Sequence, residues 1–338
     1  MSTLGQSGKV TLLDVAKSQD PDGSVAAVAE LLTQQNEILL DMPWYEGNLP
    51  TGHKGTIRTG LPTAVWRSMY QGVPPSKSVR AQVEDACGML EARNEIDLDA
   101  AKLNGNTQEF RMSEATSFIE TMNQTMAGTV IYGNQGVNPE RFNGLAIRFG
   151  SIAGAANAQN IIDAGGTGTD NTSIYLVVWS KQTVFGIYPK GSNAGLIHED
   201  LGIIDAFDIN QNRFRAVADW WQWKCGLHVK DWRYVVRICN IDVSNLVSET
   251  GAADLTKLLV RAFSRIPYPS MGNAAFYANR TVKEMLSIQA LNKSQNALSI
   301  TEALRQFGGV DVSMQELKFL GTPIRTVDQI LTTEARIT

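Results

Sequence analysis

Between Pro43 and Arg80 the chain carries five of its eleven prolines (Pro43, Pro50, Pro62, Pro74, Pro75) and five glycines (Gly47, Gly52, Gly55, Gly60, Gly72). Proline removes a backbone donor and fixes φ, and glycine loses the most entropy on ordering, so a stretch this punctuated cannot hold a core of its own. It is nevertheless not low in complexity. Thr56-Ile57-Arg58-Thr59 and Ala64-Val65-Trp66-Arg67-Ser68-Met69-Tyr70 have the β-branched, aromatic and basic content of two exposed strands. The simplest object is a long hairpin, residues 43–80, projecting from a folded body. Ordering such an excursion costs entropy, and a compact domain has no need of it unless it serves a function.

The remaining residues must supply the body. A chain of 338 residues, 43% hydrophobic and 19% charged, can bury roughly three quarters of its unfolded surface, in one large domain or two intimate ones. Its formal charge of −4 gives no global pull toward nucleic acid or an anionic membrane, so contact with DNA requires a local patch. The start lacks a signal-peptide core and no apolar run approaches the ~18 residues of a membrane span, so a product made and kept in the cytosol is expected. Cys87, Cys225 and Cys239 are odd in number and lack CxxC spacing, which reads as buried thiols.

Ser24 offers an N-cap to a first helix, with Val28, Leu31, Leu32, Gln35, Ile38 and Leu39 at helical spacing up to Pro43. Residues 79–90 read as a strand entering the body, followed by a short helix over 94–103. Asn106 with Glu109 resembles a capping box, and Ala115, Phe118, Ile119, Met122 and Met126 mark one face of a helix of about six turns, ending near Tyr132-Gly133 where glycine can supply a left-handed cap. Strands are predicted over 174–179, 183–188, 214–223 and 234–241, helices over 252–264 and 279–291, and a last strand over 315–327. The mixture is α+β.

Chemistry needs convergent groups, and the sequence offers none. Gly165-Gly166-Thr167-Gly168-Thr169-Asp170 lacks the third glycine of a dinucleotide fingerprint and precedes a strand. His198-Glu199 has no second histidine at zinc spacing, and His53 and His228 stand alone. Asp20-Pro21-Asp22-Gly23 lacks the downstream ligands of a calcium loop. Trp220, Trp221 and Trp223 could stack bases, but alternation puts Trp221 and Trp223 on one face of a strand, where half-buried sheets often carry aromatics. No catalytic, cofactor-binding or metal-ligating residue is therefore assigned.

The order of arm, long hairpin, long helix, mixed sheet domain and return strand resembles the Hong Kong 97-type major capsid proteins of tailed bacteriophages. Trp66-Arg67 through Gly72-Val73, Ser76, Ser78, Gln82-Val83 and Glu95-Ile96-Asp97 look like the extended E-loop and its return. Tyr132-Gly133 and Asn138-Pro139 with Phe142-Asn143-Gly144-Leu145 are similar to the end of the spine helix. Residues 226–231 and 236–241 look like a sheet of short-tailed phage relatives, Phe276-Tyr277-Ala278-Asn279-Arg280-Thr281 like the opening of an axial-domain helix, and residues 319–325 with Asp328 like the returning peripheral strand.

The resemblance implies an N-terminal arm (1–42), an E-loop hairpin (43–80), a peripheral domain with spine helix (81–144), an axial domain and connecting sheet (145–309) and a return strand (310–338). It implies a head protein in the virion, made in the bacterial cytoplasm, that assembles with itself into hexamers and pentamers. It also implies packaged double-stranded DNA contacted non-specifically, no membrane and no cofactor. No scaffold-like helical region precedes the arm, so a separate scaffolding protein is expected, with a portal and a decoration protein as further partners. Lys54 and Lys77 lie in the loop where some members cross-link, without a sign of lysine activation. An encapsulin-like compartment shell or an unrecognised α+β enzyme are the alternatives.

Charge bears on the contacts of such a subunit. Residues 1–42 carry two basic and six acidic side chains, residues 43–80 five basic and one acidic, so the arm is −4 and the hairpin +4. Complementary blocks on neighbouring projections suit subunit docking. Lys54, Arg58 and Arg67, with the anchors Trp66, Met69 and Tyr70, are the candidate inter-subunit residues.

Overall fold

The computed structural model describes residues 33–102, 107–292, 298–307 and 310–338. Most of the predicted helix from Ser24 and the cap at Asn106 lie outside them; of that helix's described end, residues 33–37 are not helical, Asn36 bridging to Val327, and only Ile38–Asp41 forms a helical turn. The described chain forms two compact units. The smaller contains Met89–Met126 and Gly195–Lys224, the larger Gln35–Gly88, Ala127–Ala194 and Cys225–Thr338.

The larger unit is built on a sheet in which Leu298–Phe307, Val310–Phe319, Thr322–Thr326, Asn273–Ala278, Asn171–Trp179 and Val184–Tyr188 follow one another, the last pairing with Arg213–Val229. Asn171–Trp179 is buried at every position, and its apolar part, Ile174–Trp179, is the run expected of a strand covered on both faces. It also pairs antiparallel with Val235–Asp242. Two helices, Leu255–Arg265 and Arg280–Asn292, contribute Leu258, Leu259, Ala262, Val282 and Leu286 to the core formed with Leu176, Val236, Ile238, Phe276 and Phe319. Asp254 caps the first of these helices by accepting from the Lys257 amide at 3.3 Å.

In the smaller unit Arg213–Val229 pairs antiparallel with Leu196–Phe207, and Gly88–Asp97 joins the same strand. Trp221 is buried beneath Phe118, the rings stacked with centroids 5.3 Å apart, so this tryptophan belongs to the sheet's packed face and is not open to stack a base.

The long helix runs Thr107–Tyr132, seven turns at 3.6 residues each. Met122 and Met126 face inward as expected, but Ile119 is 45% exposed. Gly133 does not have positive φ. What excludes a side chain there is backbone approach, because a Cβ would run into the Phe142 carbonyl. Three further expectations change. The segment read as one strand over 79–90 is two, Val79–Ala86 and Gly88–Asp97. The last strand is also two, divided at Leu320-Gly321, both with positive φ. Leu196–Phe207 was not anticipated as a strand.

Candidate functional site

The punctuated segment does form a hairpin, with strands Gly52–Gly60 and Val79–Ala86. The second strand is not Ala64–Tyr70. Those residues lie in a tip, 61–78, without regular structure, because Pro62, Pro74 and Pro75 cannot donate to a ladder. A turn closed by Gln71 N–H on the Ser68 carbonyl, with Tyr70 at φ 64°, and a Ser76 hydroxyl bond to the Thr63 carbonyl shape the tip. Residues 43–49 belong to the body, where Trp44–Glu46 pairs with Val184–Tyr188.

Strand alternation sorts the hairpin's side chains. Lys54, Thr56 and Arg58 stand opposite Glu84, Gln82 and Arg80. Lys54 lies 3.8 Å from Glu84, whereas Arg58 faces another arginine, an arrangement that weakens an isolated ladder. At the tip Trp66 and Tyr70 are fully exposed and Met69 is 88% exposed, with Leu61 and Val73 also open. The structure thus places Met69 and Tyr70 in the turn, Trp66 and Arg67 just before it, and Lys54 and Arg58 along the ladder below.

The opposite face carries His53, Gly55 and Ile57, and here the hairpin meets its own unit. Asp85 is buried and accepts from His228 Nδ1 at 2.7 Å, from Arg148 Nη2 at 2.7 Å and from the Val229 amide at 3.3 Å. Burial opposes ionisation of Asp85, but the His228 hydrogen bond and the Arg148 guanidinium outweigh it and hold the carboxyl below its usual range. The His228 ring lies over Gly55, where a Cβ would sit 2.7 Å from Nε2. His53 meets the His228 and Phe185 rings edge-on, at centroid distances of 4.6 and 5.6 Å. Sequence reasoning missed this root. Its only local sign was a histidine and a glycine alternating on one strand face.

The nearest approach to a catalytic constellation is in the smaller unit. A cavity of about 570 Å³ is lined by Gln108, Arg111, Met112, Ala115, His198, Asp200 and Asp219. Arg111 binds Asp219 through two nitrogens, at 2.7 and 3.2 Å, and Asp200 at 2.8 Å. His198 Nε2 shares Asp219 Oδ1 at 3.0 Å. Hydrogen bonds to Asp219 and Asp200 raise the Arg111 pKa and lock it as a cation. Among the described lining residues there is no hydroxyl or thiol nucleophile, and the carboxylates are committed to a permanent guanidinium, so the arrangement ties helix to strand. No cluster of three metal-ligating side chains occurs among the described residues. The glycine-rich loop turns two of its amides inward, Gly165 N–H to Asp163 and Gly166 N–H to the Asn240 carbonyl, so these are not free to cradle a phosphate.

The thiols are largely inaccessible: Cys225 and Cys239 are buried and Cys87 half-buried, and none of the three is in a disulfide.

The model of the family described as Major capsid protein GP7 matches residues 20–338. Among solved structures, a chain of the near-atomic-resolution structure of bacteriophage Epsilon15 is 32% identical with a TM-score of 0.75, over 100% of this chain and 99% of that one. The bacteriophage JBD30 capsid is 7% identical with a TM-score of 0.49, over 89% and 92% of the two chains. The holo-SrpI encapsulin complex of Synechococcus elongatus PCC 7942 is 11% identical with a TM-score of 0.42, over 68% and 98%. No curated protein sequence matches the chain. On the strength of the family match and the full-length likeness, the chain belongs to the Major capsid protein GP7 family, a non-enzymatic subunit of Hong Kong 97-type fold that forms the icosahedral head of a tailed bacteriophage.

Proposed function

We propose that the hairpin Gly52–Ala86 is the arm by which one subunit grips the next in the hexamers and pentamers of the head. The observation that carries this reading is the tip, where Trp66 and Tyr70 are fully exposed with Met69 beside them. Tyr and Trp lose little entropy on docking and dominate interface energetics, and methionine is enriched beside them in interface cores. The acidic residues of the N-terminal arm, 1–42, supply the complement to the basic hairpin. In this reading 81–144 with 310–338 form the peripheral domain and 145–309 the axial domain. A separate scaffolding protein, a portal and a decoration protein complete the head, and double-stranded DNA is held inside without sequence preference.

Sedimentation velocity of Trp66→Ala and Tyr70→Ala tests the grip. Each substitution removes an interface anchor while leaving the buried core untouched, and is expected to raise the concentration needed for assembly at least tenfold, about 1.4 kcal/mol. Unchanged assembly in both variants would overturn the assignment of the tip.

A further inference from the structure

Two buried ring nitrogens at the hairpin root, His228 Nε2 and His53 Nδ1, have no hydrogen-bond partner. His228 is fully buried, and its Nδ1 is committed to Asp85. The His53 ring packs edge-on against both His228 and Phe185, whose own centroids are 5.1 Å apart. We propose that His53 is an acid-released catch that seats the projecting hairpin on its own unit: the neutral ring fits the slot at the edge of the His228–Phe185 pair, and the protonated ring must leave it.

The surroundings give the reason. The charged and titratable groups that face His53 are Asp85 across the ladder, His228 from the Arg213–Val229 strand, Lys230 just beyond that strand, and Arg148 behind Asp85. Phe185, from Val184–Tyr188, contributes only a ring. Asp85 is the one anion, and it already accepts from His228, Arg148 and the Val229 amide. His53 Nδ1 has no hydrogen-bond partner in this packing, so a proton there adds positive charge beside Lys230 and Arg148 without a bond to the committed Asp85. Burial, then His228 and Lys230, hold the His53 pKa below its ordinary 6.5, and Asp85 offsets this only in part. With the seated pKa below the released one, the seated form binds fewer protons. Its stability is complete above about pH 6.5 and declines as pH falls below that value.

Local opening of the root is read by backbone hydrogen exchange of 52–57 and 83–86 in the unassembled full-length chain at pH 7.5 and 5.5, corrected for intrinsic exchange. One proton with a released pKa near 6.5 permits up to about a tenfold rise in opening at pH 5.5, while Asn171–Trp179 keeps its protection. His53→Phe retains an aromatic ring in the slot and cannot be protonated, so its root is expected to show no acid response. An equal rise in wild type and variant, or none in wild type, would overturn the proposal. If His53→Phe does not fold, the wild-type ring decides by NMR titration: a His53 pKa at or above 6.5 refutes the catch, and a lower one accompanied by root-specific opening supports it. The catch rests on the hairpin-grip reading only for its consequence in assembly. Failure of the tip variants to disturb sedimentation at neutral pH would leave the root's acid response standing.

Discussion

Arg237 and Glu334, 97 residues apart, form an ion pair of 2.8 Å in which both side chains are only 5% exposed. Every remaining face of the pair is occupied. The guanidinium donates to the Ala146 and Phe149 carbonyls and to the Ser173 hydroxyl, and its plane covers the Tyr175 ring at 5.4 Å. Glu334 also receives the Tyr132 and Ser173 hydroxyls. The pair thereby ties the C-terminal segment to the sheet and to the end of the long helix. Glu334→Ala leaves a buried cation with no counter-charge, which costs about 3–5 kcal/mol. Urea unfolding of the unassembled chain should show a loss of that size, whereas Glu334→Gln, which keeps an acceptor, should lose less.

Asp85→Asn keeps the shape of the hairpin root and removes its charge. Arg148 retains the Asn143 and Leu227 carbonyls but loses its carboxylate, so destabilisation of about 3 kcal/mol is expected near neutral pH. The folded pKa of Asp85 is depressed, so its contribution is complete above the unfolded value of about 3.9 and lost as pH falls through the folded value. The gap between wild type and variant in urea unfolding should therefore close below about pH 4. A gap that persists in acid would show that packing, not charge, holds the root.

The contrast between tip and root shows what the sequence made legible. Five prolines and five glycines announced the excursion, but the length of its strands depended on where proline removes a donor, and Ala64–Tyr70 has strand-forming residues enclosed between Pro62 and Pro74. The root was illegible because Arg148 and His228 lie 63 and 143 residues from Asp85, and each side chain alone carries no periodic signal. Ile174–Trp179 was readable because burial on both faces demands an unbroken apolar run, whereas the polar start of that strand, Asn171-Thr172-Ser173, was not. Leu196–Phe207, largely exposed and interrupted by Gly202 at a register shift, takes its form from the partner strand.

Heads assembled from this chain should be indifferent to dithiothreitol, because none of its three thiols is in a disulfide. Burial, helped by Asp85, pushes the Cys87 pKa up to about 11, which leaves about one thiolate in a thousand at pH 8. Labelling with a disulfide reagent at that pH should be slow until denaturant is added. Rapid labelling of Cys87 in intact heads, or dimers on a non-reducing gel, would contradict this.

Arg58 and Arg80 oppose each other across the hairpin ladder, which separates folding from assembly in one substitution. In the isolated subunit Arg58→Glu replaces a like-charge cross-strand pair by an opposite-charge one, a gain of roughly 0.2–1 kcal/mol for the ladder. In the head the same change sets a new carboxylate against the acidic arm of a neighbour, where like-charge juxtaposition costs several kcal/mol. Hydrogen exchange over 56–58 and 80–82 should therefore slow while sedimentation velocity shows fewer assembled particles. Added salt should restore part of the assembly, since the Debye length falls from about 10 Å at 0.1 M to about 3 Å at 1 M. Lys54→Glu is the matched control: it breaks the pairing with Glu84 and should weaken ladder and assembly together. If Arg58→Glu strengthens the ladder and heads form as before in low salt, the arginine pair does not meet the acidic arm, and the exposed aromatic tip alone carries the grip.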